Sequence, residues 1–234
     1  MMFTDVPSPV DFHDLQQARA WVENTVAARP WRSAFFDAFV DALNQHFRRS
    51  FSVLELGSGP GHLAGHVLER CTVAQYRAID FSAAMHALAR EHLGAAAERV
   101  LFVEKDFRSP HWFAGLAPVD AIVTMQAAHE VRHKARQPGF LAQVRRVIAE
   151  GGLFLFCDHY AEPGTGKNPE LFLTKREQAD TLVRAGFQDV RMLLDFGGIA
   201  LHRAVPLTVT PRASRTIDPH ANRERGGFIG RCRN

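Results

Sequence analysis

Residues 129–133 read H-E-V-R-H, a spacing that binds zinc when both histidines lie on one face of a helix. In that arrangement His129 and His133 bind one metal ion, and Glu130 polarises a metal-bound water. A third ligand is also needed, and no recognisable downstream motif supplies one. Because the chain contains 12 histidines, such a pattern arises readily by chance. A zinc hydrolase is therefore kept only as an alternative.

A glycine-rich pattern, E-L-G-S-G-P-G, stands where an apolar run gives way to helical spacing. Gly57, Gly59 and Gly61 allow a tight turn and a close approach of the backbone to a ligand. The following helix points its first amide groups at that ligand. The spacing is not the G-x-G-x-x-G of dinucleotide sites, since position 62 is His62. Glu55 would repel a phosphate and attract an ammonium or a sulfonium, which predicts a cationic ligand.

Acidic residues follow the next two predicted strands. Asp80 ends the run A-I-D, about 20 residues after the glycines, where a carboxylate accepts hydrogen bonds from ribose hydroxyls. Asp106 follows V-E-K, where it can accept from an adenine amino group, with Phe107 available for stacking. Each acid has another possible role: Asp80 as a helix cap, shared with Ser82, and Asp106 as a turn residue. Because parallel strands end at one edge of a sheet, both acids are expected beside the glycine loop.

The order of elements predicts a mainly parallel sheet. Two helices come first, over residues 11–28 and about 35–47, separated by Arg29-Pro30. A later helix is expected between Thr174 as N-cap and Gly186 as its end. Two strands around Gly197-Gly198 predict a closing antiparallel pair. Between these lie five short apolar runs that alternate with helical stretches: FSVLEL, VAQYRAI, RVLFVE, VDAIVTM and GLFLFC.

Together, these motifs resemble those of the class I S-adenosylmethionine-dependent methyltransferases over about residues 50–205. The resemblance rests on ELGSGPG, AIDFS, Asp106-Phe107, VDAIVTMQAAHEV and LAQVRRVIAEGGLFLFCDH. It implies a three-layer, Rossmann-like α/β sandwich with a seven-stranded, mostly parallel sheet, an antiparallel last strand and a helical N-terminal extension. It also implies S-adenosylmethionine as cofactor. The residues implied to bind it are Glu55, Gly57, Ser58, Gly59 and Gly61 at the methionine portion, Asp80 and Phe81 at the ribose, Asp106 and Phe107 at the adenine, and Gln126 near the reacting end.

Methyl transfer from a sulfonium is an in-line displacement, so the protein must align the reactants, exclude water and deprotonate the acceptor where needed. A base is expected after the fourth strand, where His129 and Glu130 are the candidates, His129 because its ordinary pKa is near neutrality. The alternative for His129 is a packing or loop-capping role. Trp31, Gln126 and His129 are the predicted acceptor contacts.

The acceptor class is constrained mainly by exclusion. The net charge is +3, but six arginines against Asp218 and Glu224 give the tail after Pro206 a charge of +4, so the rest of the chain is near neutral. A basic nucleic-acid groove is therefore not expected. The sequence has no uninterrupted run of about 18 apolar residues, so a membrane span is not expected either. The N-terminus lacks the pattern of a secretory signal, so a cytoplasmic protein is expected.

The predicted organisation is a helical cap over residues 1–49, a cofactor-binding methyltransferase domain over 50–205 and a mobile basic tail over 206–234. The predicted reaction is methyl transfer to a small-molecule acceptor, with a protein side chain as the second choice. Besides the zinc hydrolase, a cofactor-binding module without catalysis is kept as an alternative.

Overall fold

The structure, a computed structural model, describes residues 3–208 of the 234-residue chain. Its strands are β1 (Phe51–Leu56), β2 (Val73–Asp80), β3 (Val100–Glu104), β4 (Val119–Met125), β5 (Ile148–His159), β6 (Phe187–Phe196) and β7 (Ile199–Pro206). Its α-helices are α1 (Leu15–Ala28), α2 (Arg32–His46), α3 (His62–Arg70), α4 (Ala83–Leu93), α5 (Gln137–Val147) and α6 (Lys175–Arg184). Three short 3₁₀-helices span Gly94–Arg99, Ala128–Val131 and Lys134–Arg136.

The seven strands form one sheet in the order β3-β2-β1-β4-β5-β7-β6. Strands β1 to β5 pair in parallel, whereas β7 is antiparallel to both β5 and β6. The predicted fold, including the antiparallel last strand, is confirmed. Strand order reverses between β1 and β4, and ligands bind outside the carboxyl ends of the strands at such a point.

Helices cover both faces of the sheet and enclose two apolar cores. On one face, α2 contributes Phe35 and Phe39, which pack with α3 and with β1 and β5. On the other, α5 contributes Phe140 and Leu141, which pack against Phe154 and Phe156 of β5. Strands buried on both faces explain why the apolar runs are nearly continuous in sequence.

Local signals predicted most of the boundaries. Thr174 and Glu177 form a reciprocal capping box at the start of α6, and Gly186, at φ +93°, follows its end. The expected start of α1 at Asp11 is wrong. The Asp14 carboxylate accepts from the Gln17 amide at 2.9 Å and caps the helix there, so the preceding residues stay outside it.

Parts of the predicted organisation stay predictions. The basic tail lies almost entirely outside residues 3–208, and the division at residue 49 is marked only by the change from helices to the first strand. Within the described part of the chain, no helix combines the length and apolar character needed to cross a membrane.

Candidate functional site

A cavity of about 350 Å³ opens at the carboxyl ends of β1 and β4, where strand order reverses. Its walls come from the glycine loop, the end of β2, the segment after β4, the N-terminal residues 7–12 and the loop of residues 160–173. The predicted site residues that line it are Glu55, Gly57, Ser58, Gly59, Asp80, Phe81, Phe107, Gln126, His129 and Glu130.

The glycine loop folds closely over the neighbouring strand. The amides of Gly57 and Ser58 both donate to the carbonyl of Ile79, at 2.8 and 3.0 Å. Gly57 has φ +68°, and a Cβ added there would lie 2.2 Å from the Cβ of Ala127. Only glycine therefore fits this position, because any side chain would both strain the backbone and displace the segment after β4.

Asp80 connects the glycine loop to helix α4. Its Oδ2 accepts from the amide of Gly59 at 2.8 Å, and its Oδ1 accepts from the amide of Ser82 at 2.9 Å. The side chain is buried, and burial raises its pKa to about 6 despite these two hydrogen bonds. Each oxygen keeps a lone pair for a further donor. The helix is capped by Ser82 Oγ, which accepts from the amide of Met85 at 2.9 Å.

Glu55 lies at the base of the cavity with only 2% of its surface exposed. Its Oε2 accepts from the hydroxyl of Tyr76 at 2.7 Å. Burial raises the pKa of Glu55 to about 8, and this outweighs the opposing effect of the Tyr76 hydrogen bond. The carboxyl is thus mainly protonated at neutral pH until a positive charge enters the cavity.

His129 is fixed by Asp158 at the end of β5. Asp158 Oδ1 accepts from His129 Nδ1 at 2.7 Å, and its Oδ2 accepts from the His129 amide at 2.8 Å. Burial lowers the pKa of His129, but the charge and hydrogen bond of Asp158, with a contribution from Glu130, raise it overall. Glu130 Oε1 lies 3.5 Å from His129 Nε2. The neutral ring therefore carries its proton on Nδ1 and has a free lone pair on Nε2.

The H-E-V-R-H stretch is not one regular helix, so His129 and His133 do not share one helical face as the zinc alternative requires. The 3₁₀-helix of Ala128–Val131 ends where Arg132 takes a left-handed conformation, φ +64°. His133 points elsewhere, stacking on Phe3 with ring centroids 4.9 Å apart. Among residues 3–208, no three histidines, cysteines or carboxylates gather as a metal site. The geometry on which the zinc alternative depended is thus not formed.

Arg132 is also buried. Its Nη1 donates to Glu130 Oε2 at 2.9 Å, and its Nε donates to the carbonyl of Val6 at 2.8 Å. Arg132 thereby joins the segment after β4 to the N-terminal segment that lines the cavity.

Gln126 occupies the point where β4 enters the cavity. Its backbone is left-handed at φ +56°, and its Nε2 donates to His159 Nε2 at 2.9 Å. Burial lowers the pKa of His159 to about 3, so this ring stays neutral and accepts the hydrogen bond. Within the described chain, Gln126 Oε1 is buried without a hydrogen-bond partner. That oxygen is available to a donor in the cavity.

Three predicted site residues do not line the cavity. Gly61 lies behind it, close to Ala89 of α4. The Asp106 carboxylate is held by Arg108, whose Nε lies 2.8 Å from Oδ2. Trp31 packs against Phe196 near the β6–β7 turn.

Sequence reasoning missed several residues that line the cavity or lie directly behind its wall. Asp158 and His159 end β5, so the strand-end rule that identified Asp80 applies to them as well. Arg29, Arg32 and Lys167 also line the cavity, yet no local pattern marks them because they come from two distant segments.

Comparison with known proteins supports a methyltransferase domain. Residues 53–152 match a family model described as a methyltransferase domain. The malonyl-[acyl-carrier protein] O-methyltransferase of Geobacter sulfurreducens is 28% identical over 171 residues, covering 66% of this chain and 61% of that protein. The chain thus spans about three fifths of the length of this relative.

Two solved structures share the fold over most of the chain. The DhpI–SAH complex superposes with a TM-score of 0.63 at 23% identity, covering 83% of this chain and 96% of DhpI. An O-methyltransferase family protein from Burkholderia thailandensis gives a TM-score of 0.67 at 18% identity, covering 85% and 62% of the two chains.

Proposed function

We propose that the chain is a class I S-adenosylmethionine-dependent methyltransferase that transfers the cofactor's methyl group to an oxygen of a small-molecule acceptor. The methyltransferase-domain match over residues 53–152 and the Geobacter relative support this proposal. The observation that carries this proposal is the His129–Asp158 pair, whose histidine lines the same cavity as the glycine loop. The name of the Geobacter relative, an O-methyltransferase, favours oxygen as the acceptor atom. A concave cavity of about 350 Å³ suits a small molecule better than a folded protein surface.

The residues around the cavity fit the cofactor. Glu55 can ionise against its ammonium or sulfonium, and the glycine loop leaves room for its methionine portion. Asp80 has free lone pairs for the ribose hydroxyls, and Phe107 offers an apolar surface to the adenine. Asp106 can contact the adenine amino group only if it shares its carboxylate with Arg108.

His129 is proposed as the general base. When bound, the cofactor supplies a methyl group already activated by the positive sulfur. Asp158 holds the Nδ1 proton, so Nε2 is the nitrogen that takes the acceptor's proton. Glu130 faces Nε2 and stabilises the positive ring that results. Gln126 Oε1 accepts a hydrogen bond from the bound ligand and so helps to position it.

Two measurements test this function. Calorimetric titration with S-adenosylmethionine must show binding, and Asp80→Ala must weaken it at least about tenfold, since that variant loses a charged acceptor. Transfer of labelled methyl into a metabolite extract must then occur and must fall about 100-fold or more in His129→Ala. His133→Ala is the matched control, because His133 belongs to the same motif but lies outside the cavity wall.

The outcomes separate the alternatives. Binding without any methyl transfer would support the cofactor-binding module. Absence of cofactor binding would refute both that module and the enzyme. Equal activity of the His129→Ala and His133→Ala variants would refute His129 as the base.

A further inference from the structure

Three basic side chains line the cavity without a carboxylate partner. Arg29 lies between α1 and α2, Arg32 begins α2, and Lys167 lies in the loop of residues 160–173. Within residues 3–208, none of the three lies within 4 Å of a carboxylate oxygen. Nearby arginines differ, since Arg132 pairs with Glu130 and Arg108 with Asp106.

These three charges lie close enough to repel one another. Burial, followed by the charge of Arg29, lowers the pKa of both Arg32 and Lys167, that of Arg32 to about 10. Lys167 and Arg29 also contribute to lowering the pKa of His159, after burial and His129. The cluster therefore extends to the histidine end of the cavity, beside the proposed base.

The cluster is also incompletely hydrogen-bonded. All three side chains are half-buried, and Arg32 Nε is buried without a partner in the described chain. Arg32 and Lys167 lie over the rings of Phe36 and Phe172, at 5.6 and 5.7 Å from the centroids. Such contacts do not replace a counter-ion, so a ligand anion would relieve the repulsion.

The acids that line the cavity or adjoin it already have partners. Asp158 is near enough to affect Lys167, but its two oxygens accept from His129 and from the amide of His159. Glu130 accepts from Arg132, and Glu55 accepts from Tyr76. The methionine portion of the cofactor carries one carboxylate, which can pair with one of the three basic side chains but not with all of them.

We propose that the acceptor is an organic acid whose carboxylate binds Arg29 and Lys167 while its hydroxyl lies beside His129. Arg32 lies near His62 at the start of α3 and is left for the carboxylate of the cofactor. Trp21, Leu171 and Phe172 line the same cavity and suit an apolar or aromatic skeleton. This inference rests on the proposed methyl transfer.

The reaction balances for such an acceptor. The hydroxyl oxygen forms a bond to the methyl carbon as the carbon–sulfur bond breaks, and that electron pair stays on sulfur. The hydroxyl proton passes to His129 Nε2 and from there to solvent. The carboxylate of the acceptor does not react and serves to position the hydroxyl.

A binding test needs no turnover. With the cofactor site filled by S-adenosylhomocysteine, benzoate is expected to raise the melting temperature in a dose-dependent manner, whereas benzamide, its neutral isostere, is not. Arg29→Gln and Lys167→Gln should each reduce the benzoate effect, and the double variant should abolish it. Arg176→Gln is the matched control, because its side chain is 91% exposed on α6. Equal effects of benzoate and benzamide on the wild-type protein would overturn the proposal.

An activity test uses a metabolite extract divided by anion exchange. Labelled methyl is expected in the retained, acidic fraction, and Arg29→Gln or Lys167→Gln should raise the acceptor KM about tenfold or more with the cofactor KM unchanged. Incorporation only in the unretained fraction would overturn the organic acid and keep the methyltransferase. If labelled methyl appears in neither fraction, the proposed methyl transfer is overturned. The benzoate test then decides only whether the cavity binds an organic anion.

Discussion

His129 is oriented by a residue that lies 29 positions later in the chain. Asp158 accepts from both its ring and its amide, so the ring orientation and the proton position are fixed together. A histidine with its Nδ1 proton held in this way presents Nε2 as a base without having to reorganise. This contact is the part of the candidate site that depends most on tertiary structure.

Replacing Asp158 with asparagine tests that arrangement. The negative charge of Asp158 raises the pKa of His129, so its removal lowers that pKa. Since the base must be neutral to act, the acidic limb of the kcat–pH profile should move to lower pH. The maximal rate should fall about 100-fold or more, because the positive ring loses its counter-charge. An acidic limb that stays in place would show that His129 is not the titrating base.

We expect Glu55 to release a proton when the cofactor binds. Its pKa of about 8 in the empty cavity makes it mainly protonated near neutral pH, and a cationic ligand favours the ionised form. Calorimetric titrations in buffers of different ionisation enthalpy should therefore report the release of about one proton at neutral pH. Glu55→Gln should abolish this release. A buffer-independent binding enthalpy in the wild-type protein would contradict the prediction.

At the scale of elements, the glycine loop and the segment after β4 are packed as one unit. Gly57 meets Ala127 so closely that no Cβ fits between them, whereas a Cβ added at Gly59 would meet no atom within 4 Å beyond its chain neighbours. Both glycines have positive φ. Substitutions at the two positions therefore distinguish the cost of steric overlap, which arises only at Gly57, from the cost of backbone strain, which arises at both.

Alanine substitutions at these positions should differ in effect. Gly59→Ala carries only the strain of a positive φ, about 1 to 2 kcal/mol. Gly57→Ala adds an overlap with Ala127, so its free energy of unfolding should fall by a further 1 to 3 kcal/mol, approximately. Chemical denaturation without cofactor measures both. Equal destabilisation would mean that the segment after β4 moves aside easily.

Most elements could be predicted because their signals are local. The alternation of apolar runs with helical stretches, the Thr174 cap and the Gly197-Gly198 turn each depend on a few adjacent residues. The path of the H-E-V-R-H stretch could not be predicted, because it depends on a contact between residues that are distant in sequence. Its path is set by Arg132, which bonds to Val6 from 126 residues away. No sequence period encodes that contact.

The whole molecule closes its cavity with its own N-terminal segment. Residues 7–12 line one wall, and Val6 and Arg132 exchange two hydrogen bonds of 2.8 Å that hold this segment in place. Arg136 adds an ion pair with Asp5. This wall of the cavity is thus built from a part of the chain that lies outside the sheet.

Deleting residues 1–9 should open this wall. The rate of S-adenosylhomocysteine release should rise about tenfold, because the lost contacts close the cavity rather than build the core. Stopped-flow fluorescence can follow release, with Trp21 in the cavity wall as the reporter. The melting temperature of the empty protein serves as the control and should change little. Unchanged release would show that product leaves by another route.

At this scale the sequence predicted the fold, and it predicted the cavity wall of the glycine loop and Asp80 better than the opposite wall of basic residues. Gly57 and Asp80 follow consecutive strands in a recognisable order. Arg29 and Lys167 meet only because the cap and a late loop converge on one cavity. The convergence of these basic residues is therefore a property of the folded chain, and the sequence pattern points to Trp31 instead, which does not line the cavity.

Asp158 has one further consequence, which concerns hydrogen exchange. Its carboxylate accepts the amide protons of His129 and His159, and its side chain is only 1% exposed. In deuterated solvent these two amides should exchange as slowly as those of the sheet, since they open only when β5 and the segment after β4 come apart. The segment carrying the proposed base would then be irregular in shape and yet belong to the slowest-opening part of the molecule.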